Sequence, residues 1–193
     1  MIIKNIYPFA SHSDIGYLIA SFPPSKKMGP PHIKDEDTFY RSVILITGKS
    51  STGEYYGLKV NHILPPGTQP EYTIGSQQSY EGGPISTKTG TLLHTSEVVW
   101  EQSKQIGDNL YSTVMDKAIL SSPRMPETRF LAFGYLIWQK NQLEYEIEKG
   151  LWISLCKNIN EAIFRLPLVN RWLYVYQQLG ISPERMSIDG AIS

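Results

Sequence analysis

The stretch 130–146, FLAFGYLIWQKNQLEYE, constrains the fold more than any other part of the chain. An apolar run from Phe130 to Phe133 meets Gly134, then two aromatics, Tyr135 and Trp138, and then Leu143 and Ile147 four residues apart. Continuous apolar residues predict a buried strand, and the i,i+4 pair predicts a helix. The reading is therefore a strand over 128–133, an exit eased by Gly134, and a helix over 139–149. Polar and aromatic groups on the ends of rigid elements are well placed to face a ligand. The corner 134–144 is thus a candidate binding site.

The rest of the chain alternates strands and turns. Residues 16–22 and 42–47 (SVILIT) read as strands, the second of the kind buried on both faces. The turn cluster 48–53 predicts a hairpin to 55–61, and a proline-rich connection, 64–70, leads to an extended segment ending at Glu81-Gly82-Gly83-Pro84. Short strands are expected at 91–95, 110–114 and 151–155, with a helical turn at 116–121 that Pro123 stops. Asn158 stands three before Glu161, a variant of the reciprocal N-terminal cap, so a short helix is expected there. A final helix follows Pro167, its stripe Leu168, Val169, Trp172, Val175, Tyr176 and Leu179, its stop Gly180. Residues 23–37, with four prolines, read as a surface loop, and 1–14 as a partly ordered lead-in to one domain spanning 15–193. Strands mixed with helices without regular βαβ alternation indicate an α+β fold.

Composition narrows the function. Eighteen basic and eighteen acidic side chains balance, and Lys26-Lys27 is the longest basic run, which argues against a nucleic-acid binder. No apolar run approaches the ~20 residues needed to cross a bilayer, and the N-terminus lacks the pattern of a secretory signal. A single cysteine, Cys156, suits a reducing compartment, so a cytoplasmic protein is expected.

Chemical motifs are sparse. Gly48-Lys49-Ser50 resembles the tail of a phosphate loop, but the glycine required five residues earlier is Val43, and an extended run follows instead of a helix. A hairpin turn is the better reading. His12, His32, His62 and His94 have no metal-ligand spacing, so neither a metal nor a cofactor is expected; His94 reads as a hydrogen-bonded strand histidine. Cys156 reads as a small buried hydrophobe, and no G-x-S-x-G elbow is present. Glu144 and Glu146 point apart on a helix and cannot form a dyad. Glu146 and Glu148 read as a solvated face, whereas Glu144 stays open beside the two aromatics. Arg41, entering a buried strand, is expected to find a structural ion-pair partner.

Six blocks in order resemble the bacterial AlgH/YqgE family of uncharacterised proteins. They are Leu18-Ile19-Ala20; Phe39-Tyr-Arg41-Ser42-Val43-Ile44; Gly57-Leu58-x-Val60-Asn61; Gly82-Gly83-Pro84 with Leu92-Leu93-His94-Thr95; Gly134-Tyr135-x-x-Trp138-x-x-x-Gln142-Leu143-Glu144-x-Glu146 with Trp152; and Arg171-Trp172 with Leu179-Gly180-Ile181. The resemblance implies a single α+β domain, a mixed sheet curled into a barrel-like shape with helices packed outside. It also implies a gene product historically called a transcriptional regulator. The chain departs from the family pattern at Leu136 and Ile137, usually small, at Asn141, usually glycine, and at His62-Ile63, usually a basic residue and proline. Its 23–37 loop is also longer than usual.

These observations point to a non-catalytic binding or regulatory protein whose ligand is a small molecule or protein partner. Arg41, Asn61, Gly82, Gly83, Tyr135, Trp138, Gln142 and Glu144 are the candidate lining residues. Arg41 would clamp an anion, Asn61 and Gln142 would hydrogen-bond, and Tyr135 and Trp138 would stack. The alternative is an enzyme with Glu144 or His94 as general base; direct DNA binding ranks last.

Overall fold

Side-chain alternation along two apolar strands sets the layers of the structure. The computed structural model describes residues 14–22 and 39–185. The lead-in up to residue 13 and the 23–37 loop, with His12, Lys26, Lys27 and His32, lie outside the described residues. In β1 (Leu18–Ser21) and β2 (Val43–Lys49), Leu18, Ala20, Val43 and Leu45 enter one core. Ile19, Ile44 and Ile46, one residue out of step, enter another on the opposite face. Successive side chains of a strand point to opposite faces, so a continuous apolar run is what a strand buried on both sides needs.

The remaining strands are β3 (Tyr55–Lys59), β4 (Ser79–Glu81), β5 (Ile85–His94), β6 (Lys104–Gly107), β7 (Leu110–Val114), β8 (Arg129–Trp138) and β9 (Trp152–Leu155). The helices are α1 (Lys117–Leu120), α2 (Gln142–Glu148) and α3 (Leu168–Gln178). One sheet runs β6-β7-β5-β8-β3-β2-β1-β9, with β4 beside β8. Its pairs are antiparallel apart from β4–β8.

The core that gathers residues from both ends of this order marks the concave side. Ile106, Leu110, Leu93 and Phe130 meet Leu58, Leu45, Leu18 and Leu155 there. Trp172, Val175 and Tyr176 of α3 fill the same core, and both the Trp172 indole and the Tyr176 hydroxyl donate to the Ser21 carbonyl at 2.9 Å. Burying a large apolar side chain contributes roughly 1.5–3 kcal/mol, so this helix is a major part of the fold's stability. On the outer face α2 packs through Leu143 and Ile147 onto Ile19, Ile44 and Trp138. At the other end α1 packs through Ile119 onto Leu92, Leu131 and Phe133. Asn160 draws the curl together, its amide donating to the Asp108 carbonyl at 2.9 Å in the β6–β7 turn. The architecture is a single α+β domain with a mostly antiparallel, curled half-barrel sheet.

Several local expectations are corrected. β8 does not end at Gly134 but continues to Trp138, because Tyr55, Tyr56 and Gly57 of β3 pair with its second half. α2 begins at Gln142, after a turn in which Asn141 takes φ 65°. Asparagine tolerates that left-handed geometry. Asn158 does not cap the following segment, a wide π-helical turn at Glu161–Arg165; its amide donates to Gln178 instead. On α3, Val169 is 87% exposed and Arg171 is buried, so the apolar stripe is narrower than its composition suggests. β6 was not foreseen, since KQIG carries too little apolar pattern to announce a strand.

Candidate functional site

Three glycines at the meeting of β3, β4 and β8 have structural work. The Gly82 N–H donates to the Phe133 carbonyl at 2.7 Å, and the Gly82 carbonyl accepts from Lys59 N–H at 2.9 Å. A Cβ at Gly82 would lie 2.3 Å from the Gly134 carbonyl oxygen, one at Gly83 2.3 Å from that of Tyr135, and one at Gly134 2.1 Å from that of Gly83. Gly83 (φ 156°) and Gly134 (φ 76°) are the residues that allow two backbones to cross this closely. The Gly82 N–H is therefore committed to the sheet and does not face an anion.

The aromatic corner is a packed tie. Trp138 is buried, and its indole N–H donates to Glu146 Oε2 at 2.9 Å; the Trp152 indole donates to the same oxygen at 2.7 Å. Gln142 donates to Glu146 Oε1 at 2.8 Å and accepts from the Gln139 N–H at 2.9 Å. Glu146 is thus no solvated surface carboxylate: it gathers three donors at the junction of β8, α2 and β9. Tyr135 is half-buried, its ring 6.1 Å from that of Tyr56.

Glu144, on the next face of α2, approaches two buried phenols. It hydrogen-bonds the Tyr55 hydroxyl. Burial raises the Tyr17 pKa, with Tyr55, Glu144 and Cys156 adding to it. Burial likewise raises the Cys156 thiol, which keeps it protonated and unreactive. His94 is fully buried, with Nδ1 2.9 Å from the Thr95 carbonyl and Nε2 2.8 Å from Thr113 Oγ1. A carbonyl only accepts, so Nδ1 carries the proton. Both ring nitrogens are engaged and no substrate can reach them, which removes His94 as a general base. Among the described residues no group of three or more His, Cys, Asp or Glu is placed to hold a metal ion.

The remaining candidates, Arg41 and Asn61, come together at the ends of β2 and β3. Arg41 is exposed, with φ 46°, a left-handed conformation that few residues other than glycine adopt unless their surroundings hold them there. Asn61 imposes it: Nδ2 donates to the Arg41 carbonyl at 2.8 Å, and Oδ1 accepts from the Val43 N–H at 2.8 Å. The guanidinium carbon lies 5.1 Å from the Trp172 ring centroid and 5.5 Å from that of Tyr40. Arg41 does not enter the interior and forms no ion pair with a described carboxylate, contrary to expectation. The buried arginine is Arg171, whose guanidinium donates to the Leu166 carbonyl at 3.1 Å and to the Val60 carbonyl. Burial lowers its pKa to about 10, still far above neutrality.

Beside them, Lys59 is 1% exposed and donates to Glu81 Oε1 at 2.8 Å. His62 sits with Nε2 2.9 Å from Ser42 Oγ and Nδ1 4.0 Å from Glu81 Oε2. Burial and then Lys59 lower the His62 pKa, leaving the ring neutral at pH 7. Lys59 and His62 thus share one carboxylate, Glu81. Lys59, Glu81 and Arg171 were missed in the sequence because they lie on separate elements with no shared spacing.

The order of these elements and blocks finds its match among known proteins: a family model described as AlgH-like matches residues 28–184. The chain belongs to the AlgH-like family. A UPF0301 protein of Shewanella loihica is 32% identical over 165 residues, covering 79% of this chain and 89% of the relative. One from Vibrio cholerae is 30% identical over 175 residues, covering 82% and 92%. The AlgH-like fold is also seen in the solution structure of the AlgH protein from Pseudomonas aeruginosa, with TM-score 0.64 at 22% identity over 89% of this chain and 93% of that one. A crystal structure from Corynebacterium diphtheriae gives TM-score 0.60 at 20% identity over 87% and 88%.

Proposed function

We propose that this AlgH-like protein is a non-catalytic, cytoplasmic binding protein whose ligand is a small anion, seated at the strand end that carries Arg41. The observation that carries this reading is Arg41 itself. Its backbone is held in a left-handed conformation costing about 1–2 kcal/mol, and its guanidinium is displayed over Trp172 without a described carboxylate partner. Arginine presents a planar fork of donors suited to carboxylate, phosphate or sulfate oxygens.

The corner 134–144 supports this role indirectly: Glu146, Trp138 and Trp152 fix α2 and β9, while the glycine crossing fixes β4 beside β3. Occupancy without chemistry is how such a protein would regulate a process. Isothermal titration with sulfate, phosphate and malonate tests the proposal. Binding that weakens about tenfold or more in Arg41→Gln supports it. Absence of binding by all three anions, or equal binding by that variant, contradicts it.

A further inference from the structure

We propose that anion binding at Arg41 is coupled to the uptake of one proton by His62, so that the site takes its anion together with a proton. This rests on the anion-binding reading and names its regulation. The geometry is a clamp of two consecutive residues on three. Asn61 fastens Arg41 and Val43 through its amide, and His62 fastens Ser42 between them at 2.9 Å. The imidazole is thereby fixed on Ser42, the residue that follows Arg41 in the chain. Its Nδ1 stands 4.0 Å from Glu81 Oε2, too far for a hydrogen bond, yet facing an acceptor that can take a proton donor.

Burial and the charges facing this ring together set the sign. From β4 comes Glu81, which favours the imidazolium. From β3 comes Lys59, which disfavours it; Arg41 precedes β2, and Arg171 reaches over from α3 to the Val60 carbonyl. β2 itself contributes the neutral Ser42 hydroxyl. Burial and Lys59 outweigh Glu81, and the ring stays neutral at pH 7. An anion on Arg41 brings negative charge toward the ring and favours protonation. The bound-state pKa of His62 then lies above the free-state value. Protons are taken up on binding between those two values, and affinity rises as pH falls through that window. Reciprocity requires the two effects to be equal.

Sulfate is the probe, because it does not titrate near neutrality and any proton must go to the protein. The full chain is titrated at pH 7 in imidazole and in bis-Tris, whose ionisation enthalpies differ, and then from pH 8 to 6. The expected result is a net uptake of part of a proton, and affinity that increases toward pH 6 by no more than about tenfold per pH unit. In His62→Gln the uptake vanishes and affinity no longer varies over that range. NMR titration of the wild-type His62 ring, with and without sulfate, gives an independent reading, with the midpoint moving up on binding. Sulfate binding without uptake, uptake that persists in His62→Gln, or an unmoved midpoint overturns the coupling alone. No sulfate binding at all overturns the coupling and the anion-site reading together.

Discussion

The amide of Asn61 bridges the Arg41 carbonyl and the Val43 N–H, each at 2.8 Å, and so holds a strained arginine at the mouth of β2. One side chain satisfies a donor and an acceptor on either side of Ser42. Asn61→Ala leaves both backbone groups without a protein partner. A loss of about 1–3 kcal/mol in urea unfolding is expected, together with weaker sulfate binding, since Arg41 is then free to leave the left-handed region.

Glu146→Ala removes the acceptor for two indole N–H groups and the Gln142 amide. A stability loss of about 2–4 kcal/mol is expected, with Glu146→Gln milder because it keeps one acceptor oxygen. Chemical denaturation followed by tryptophan fluorescence reads both quantities, because Trp138 and Trp152 report on the tie directly.

Gly83→Ala and Gly134→Ala each drive a methyl into a carbonyl oxygen at 2.3 and 2.1 Å, and either is expected to cost more than ~3 kcal/mol or prevent folding. Gly150→Ala meets open space, and only its φ of 72° opposes the change, so about 1 kcal/mol is expected. Thermal unfolding of the three variants tests the contrast; equal losses would refute the crossing as the cause.

How much of this was legible in the sequence depends on the residue. Ile19 and Ile44 declared themselves, because an unbroken apolar run fits few environments other than a strand covered on both sides. Gly82, Gly83 and Gly134 were visible as special backbone positions, but whether glycine serves a ligand or a crossing strand depends on a partner far away in sequence. Glu146 was misread for a similar reason: its i+2 spacing from Glu144 excluded a dyad, yet its actual partners lie on β8 and β9. Arg41 and Asn61 were singled out, but the bridge from Asn61 to the Arg41 carbonyl and the Val43 N–H required the register of β2 against β3.

Stability should fall as pH drops from about 7 to 5. Burial lowers the pKa of His94, the backbone bond to Thr95 only partly opposing it, and His62 is lowered likewise. A histidine with a depressed folded-state pKa contributes stability that is present above its unfolded value, near ~6.5, and is lost as pH falls below it. His94→Gln is expected to flatten the urea-midpoint profile in that range. An unchanged slope would show that His94 does not titrate on unfolding.

The central claim is tested most directly by calorimetric titration of sulfate into wild type and Arg41→Gln at pH 7 and low ionic strength. The account predicts saturable one-site binding in wild type and a loss of about tenfold or more in affinity in the variant. Identical isotherms for the two proteins, or no binding by wild type, would contradict it.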